Sequence, residues 1–127
     1  MDERSTTEAE RFVVEYIDSV PHLEALLLLW RSHPRRWSLA ELTSALYLLP
    51  RSAEVIAQEL TRAGFLTATE DHYAYAPDGD IQDRLIRQVD DVYRRETVRI
   101  STMIHARGSR ALRDFAESFQ LKKKKEQ

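Results

Sequence analysis

The chain reads as a mainly α fold with a small β-hairpin in its middle, on three observations. Apolar residues recur at helical spacing twice between positions 39 and 63: Leu39, Leu42, Ala45 and Leu46, then Ala53, Ile56, Leu60 and Ala63. Two short runs rich in Thr, Tyr and Phe follow, at 65–70 and 72–76, and Pro77-Asp78-Gly79 closes the second; that is the composition of a hairpin. A third and longer apolar stripe then runs from Ile81 to about Arg107.

Each element has a local reason. Residues 1–8 read as a disordered tail. Phe12, Val13, Tyr16, Ile17 and Val20 form one stripe of an amphipathic helix from Glu8 to about Val20, interrupted at Pro21. From His22 to Ser32, Leu23, Leu26, Leu27, Leu28, Leu29 and Trp30 cover nearly the whole circumference, so this helix is expected at the centre of the domain. Arg36-Trp37 fits a short strand. Ser38-Leu39-Ala40-Glu41 has the form of a capping box, in which the serine oxygen and the Glu41 carboxylate each satisfy an unpaired backbone N–H. Leu48-Leu49-Pro50-Arg51 breaks the chain between two short helices, because proline cannot continue the first. Gly64 suits the left-handed residue that ends the second. Asp80 is the expected N-cap of a helix running to about Arg107 and ended by Gly108, roughly 40 Å long at ~1.5 Å per residue. Part of so long a stripe needs another surface, either the N-terminal helix or a second copy of the chain. A last helix from Arg110 to Leu121 places Leu112, Phe115 and Phe119 on one side. The tail 122–127 reads as disordered.

The bulk numbers bound the rest. The 127 residues are 43% hydrophobic and 31% charged, as expected of one soluble globular domain. The sequence contains no cysteine, which excludes disulfides and thiolate chemistry. The acidic, polar start MDERSTTEAE lacks the pattern of an export signal, and the apolar run 25–30 is too short to span a bilayer. The expectation is a cytoplasmic protein with no membrane partner. All 4 lysines stand at 122–125, so the body up to Gln120 holds 15 arginines against 20 acids. Many DNA-binding domains are markedly basic, and this body is not.

The order helix, turn, helix, hairpin, with ELTRAGFL carrying the second helix into the first strand, resembles the winged helix-turn-helix domain of bacterial transcriptional regulators. The resemblance covers about residues 22–77. It divides the chain into a tail and amphipathic helix (1–21), a winged unit (22–79), C-terminal helices (80–121) and a lysine tail (122–127). It also implies double-stranded DNA as a partner and a symmetric homodimer built on the terminal helices.

With Ile56 and Leu60 turned inward, the second helix of the pair presents Arg51, Glu54, Val55, Gln58, Thr61 and Arg62 outward. The candidate DNA-contact set is Arg51, Ser52, Glu54, Gln58, Thr61 and Arg62, with Arg35 and Arg36 as phosphate contacts. Arg51 and Gln58 are side chains able to make paired hydrogen bonds to guanine or adenine edges. The plain reading of the same row is a solvated helix face, since Arg, Glu and Gln are good helix formers. The acidic residues Glu70 and Asp71 at the hairpin tip argue against strong minor-groove binding. The arginines of the long helix are expected to pair with Asp83, Asp90, Asp91 and Glu96 at helical spacing.

Enzyme chemistry finds no motif. His22, His33, His72 and His105 are scattered, with no His–carboxylate cluster of metal-ligand spacing and no glycine-rich phosphate loop. No catalytic, cofactor or metal residues are therefore assigned. The alternative function is a protein-docking module with no DNA contact, using Leu112, Phe115 and Phe119 on the terminal helix.

Overall fold

The computed structural model describes residues 3–107. Helices α1 (Glu3–Tyr16) and α2 (Val20–Ser32) lead to a short strand β1 (Trp37–Ser38). Helices α3 (Leu39–Leu46) and α4 (Pro50–Arg62) follow, then strands β2 (Leu66–Thr69) and β3 (His72–Tyr75), then α5 (Gly79–Arg95). A further helix, α6, covers residues 97–107. The described residues are thus mainly helical, with a three-stranded antiparallel sheet of order β1-β3-β2.

Helix α2 is the centre. Leu23, Leu26, Leu27 and Leu29 are buried, and so are Val13 and Ile17 before it and Ile86, Val89, Val92, Ile100 and Ile104 from α5 and α6. Helix α1 packs along α5, so the N-terminal helix covers part of the C-terminal stripe. Ring packing of Phe12 on Phe65, centroids 5.5 Å apart and edge to face, joins α1 to the start of the hairpin.

The local signals act as their chemistry requires. Ser38 Oγ accepts from Glu41 N at 3.2 Å while Ser38 N donates to Glu41 Oε1 at 2.9 Å. Gly64 has φ +93, Phe65 N reaches Leu60 O at 3.0 Å, and Gly64 N reaches Thr61 O at 3.0 Å, which together form a Schellman end to α4. The hairpin turns on Glu70 and Asp71, both left-handed at φ 51 and 63. That geometry matches the twist of paired strands, although Asn-Gly would adopt it at lower cost.

Several expectations are corrected. Helix α1 starts at Glu3, inside the segment read as disordered, and ends at Tyr16 rather than continuing to Val20. Pro21 does not break a helix; it lies in the first turn of α2, where its missing N–H costs nothing, and Ser19 caps that turn. The first strand is Trp37–Ser38, one residue later than Arg36-Trp37. The N-cap of α5 is Asp78, and Asp80 sits in the first turn. The long stripe is two helices, because Glu96 leaves helical geometry at φ −130, ψ 50. Beside it the Thr97 hydroxyl donates to Tyr93 O at 2.6 Å, competing for the carbonyl that an unbroken helix gives to the Thr97 amide. Ile81, counted in that stripe, is 86% exposed, and Ala45 and Ala63 at the helix ends are also exposed. The expected stop at Gly108, the helix bearing Leu112, Phe115 and Phe119, and the lysine tail lie outside the described residues.

Candidate nucleic-acid interface

Helix α4 is positioned at both ends by backbone constraints. Tyr47 closes α3 in a left-handed conformation, φ 55 and ψ 42. Leu49 then N-caps α4 with Pro50 in its first turn. Ala53, Ile56, Ala57 and Leu60 face inward and are buried. Arg51, Ser52, Glu54, Val55, Gln58 and Arg62 are exposed and Thr61 is half-buried, so no other described element covers this row.

The polar partners on this face differ from one residue to the next. Among the described residues, Arg51 and Arg62 have neither an acidic partner nor a hydrogen bond. Gln58 Nε2 donates to Glu54 Oε1 at 3.3 Å, and the Thr61 hydroxyl donates to Ala57 O at 2.7 Å. The two predicted phosphate contacts are already engaged. The Arg35 guanidinium lies 3.6 Å over the Trp37 ring and pairs with Glu41 at 3.0 Å. Arg36 Nη2 donates to Thr69 O at 2.7 Å and approaches Glu70 at 4.0 Å, tying the hairpin tip to the loop before β1. The Ser38 amide, the Ser38 hydroxyl and Arg35 hold the Glu41 carboxyl below its ordinary range.

Apolar groups also stand on this surface. Tyr47 is 95% exposed, Leu49 74% and Val55 45%, so the turn between α3 and α4 presents carbon to solvent. Sequence periodicity did not single out Tyr47 and Leu49, because they fall between the helical stripes.

Helices α5 and α6 carry a series of ion pairs, although exposed Arg84 of α5, also expected to pair, has none among the described residues. Arg87–Asp83, Arg94–Asp90, Arg95–Asp91 and Arg99–Glu96 form at the predicted helical spacings. Asp90 is buried as well, and it accepts from Arg31 Nε at 2.7 Å, a partner 59 residues away that spacing along α5 could not show. Tyr93 donates to Glu24 Oε1 at 3.0 Å, and burial followed by that carboxylate raises its phenol above the ordinary value. Arg99 also pairs with Glu10, and Arg107 donates to Ile17 O at 2.7 Å.

Sequence spacing assigned no metal residue, yet the fold brings one group of candidate ligands together. Asp18, His22 and Glu59 converge, with one potential ligand atom from each within 4.8 Å of the others. Glu59 is far along the chain from the other two, so spacing alone could not reveal the cluster.

Compared with protein-family models, curated proteins and solved structures, the chain matches none. The class shown by the described residues is therefore structural: a mainly helical domain with a small three-stranded antiparallel sheet. Among those residues no helix is long and apolar enough to cross a membrane.

Proposed function

We propose that the chain is a winged-helix regulator of transcription that binds double-stranded DNA through α4, as a homodimer in the cytoplasm. The observation that carries this reading is the uncovered outer row of α4, with Arg51 and Arg62 unpaired among the described residues and the hairpin alongside. A recognition helix meets base edges with its N-terminal residues, and Arg51 stands in the first turn of α4. Gln58 reads adenine once it leaves Glu54, and Val55 offers carbon to a thymine methyl. Arg62 contributes phosphate attraction, which sets affinity without choosing sequence. Arg35 and Arg36 act at one remove, since their guanidinium groups are committed to Trp37, Glu41 and the hairpin.

Selection of a binding site from random duplexes, followed by shift assays across a salt series, tests the reading. Affinity should fall steeply with salt through counterion release. Absence of any selected sequence, with no salt-dependent binding of bulk duplex, refutes it. Light scattering tests the dimer, for which exposed Ile81 and Val98 offer apolar contact.

The exposed Tyr47 and Leu49 favour a second reading, a protein-docking module. In that case nuclease-treated lysate yields a stoichiometric partner that Tyr47→Ser with Leu49→Ser releases. Deleting residues 109–127 tests the contribution of Leu112, Phe115 and Phe119. A DNA shift unchanged by the paired serine variant, with no partner recovered, ends this alternative.

A further inference from the structure

We infer that Asp18, His22 and Glu59 form a binding site for a divalent transition-metal ion of the zinc class, whatever α4 itself binds. The ligands come from separate places. Asp18 lies in the link between α1 and α2, His22 in the first turn of α2, and Glu59 on α4.

Geometry is the first argument. His22 Nε2 and Glu59 Oε2 are 3.0 Å apart. Two donors bound tetrahedrally to zinc at about 2.0–2.1 Å are separated by roughly 3.3 Å, so this edge of the polyhedron already exists. All three donors lie within 4.8 Å of one another, so Asp18 must close by at most roughly 1.5 Å to complete the set. Its side chain is 62% exposed and can turn. Arg107 Nη1 approaches Asp18 Oδ1 at 3.3 Å, and a single bond to the ion would use the other carboxylate oxygen.

The surroundings of the imidazole are the second argument. His22 is the inner ligand, its side chain 12% exposed, against 38% for Glu59. Its other nitrogen, Nδ1, lies 2.6 Å from Ser19 Oγ. Ser19 is itself held as the N-cap of α2, accepting from His22 N at 3.3 Å. A hydrogen bond on the far ring nitrogen is the usual way a metal-binding histidine is oriented. With the proton on Nδ1 donating to Ser19, Nε2 is free to share a cation with the Glu59 carboxylate; in the metal-free chain the same 3.0 Å contact is satisfied by a proton on Nε2.

Donor chemistry selects the ion. One imidazole with two carboxylates and no thiolate suits Zn2+ and disfavours Cu+, while the imidazole disfavours Mg2+ and Ca2+. The exposed carboxylate side leaves room for water as a fourth ligand. Occupancy would cross-link the α1–α2 corner to α4.

The test is calorimetric titration of the full chain, stripped with chelator, against Zn2+ in a non-coordinating buffer. One equivalent should bind more tightly than about 10 μM and raise the melting temperature. His22→Asn and Glu59→Gln should each weaken binding more than about tenfold, and His105→Asn should leave it unchanged. Co2+ substitution should give the visible absorption of a low-coordinate site in the parent chain and lose it in Asp18→Asn. That variant changes only an exposed side chain and keeps the readout independent of folding defects. Binding weaker than about 10 μM in the parent chain overturns the inference. So does parent-like Zn2+ and Co2+ binding in the three ligand variants, or a response confined to protonation of His22 with none to metal.

Discussion

The arginines of α4 and most of those on α5 and α6, Arg84 excepted, are the same side chain in opposite circumstances. On α5, Arg87, Arg94 and Arg95 each meet an acid one turn away. On α6, Arg99 meets Glu96 and Glu10, and Arg107 meets Asp18 and the Ile17 carbonyl. On α4, Arg51 and Arg62 have no such partner among the described residues. Acids spaced three or four positions away turn a cationic helix into part of the scaffold. On α4 the acids at that spacing, Glu54 and Glu59, are engaged by Gln58 and His22 instead, which leaves the charge of Arg51 and Arg62 available to something else. A near-neutral chain can therefore still present local, unspent positive charge, which total composition conceals.

The largest expected effect breaks the scaffold side of this contrast. Asp90→Ala removes the one buried acid that Arg31 and Arg94 share. Losing one partner of a fully buried pair costs about 3–5 kcal/mol, but both arginines here reach water, so about 2 kcal/mol is expected by urea unfolding. A loss under about 0.5 kcal/mol would show that the pairing is ornamental and the two helices are held by apolar packing alone.

Next comes the open side. Arg51→Ala should lower affinity for a selected duplex by about 1–3 kcal/mol, tenfold or more, while unfolding shifts by less than about 0.5 kcal/mol. Arg62→Ala should weaken all sequences alike and flatten the salt slope by about one. Arg87→Ala, from the paired set, should change neither. Equal binding losses at Arg51 and Arg87 would erase the distinction between the two regions.

The hairpin tip sharpens it further. Glu70→Asn combined with Asp71→Gly relieves two left-handed residues and removes two acids from the hairpin tip, of which Glu70 lies 4.0 Å from Arg36. About 1 kcal/mol of added stability is expected, together with tighter binding of non-specific duplex, read by thermal melting and by shift assay.

The smallest effect concerns Glu41, whose folded carboxyl titrates below its ordinary range. Its contribution to α3 is complete above the ordinary carboxylate value and is lost as pH falls through the lower folded one. Glu41→Gln should therefore flatten the acid limb of the stability profile and leave the neutral region nearly unchanged. An identical acid limb in both proteins would mean that Arg35 and Ser38 do not bias that carboxyl.

What could be read from the sequence was what neighbouring residues determine among themselves. The Ser38–Glu41 box, the Gly64 end, the hairpin and the inward row through Ile56 and Leu60 all depend on contacts within a few positions. Long-range pairings could not be read that way. Nothing near Asp90 in the chain announces Arg31, and nothing near His22 announces Glu59. The break at Glu96 was missed because apolar spacing continues through it to Ile100 and Ile104, while the competing Thr97 hydroxyl is a polar signal that periodicity ignores. Ile81 shows the converse: helical spacing placed it in the stripe, but the core ends before reaching it.

Tyr47 permits an unusual separation of two quantities. A non-glycine residue in the left-handed region costs about 1–2 kcal/mol, and Tyr47 occupies it with a ring that is 95% exposed. Replacement by glycine lifts that penalty and adds back about 0.4–1 kcal/mol of unfolded-chain freedom. The aromatic group can thus be deleted with little net change in folding free energy. The corner between α3 and α4 can lose its aromatic ring and keep both its architecture and exposed Leu49, so any lost association belongs to the ring itself.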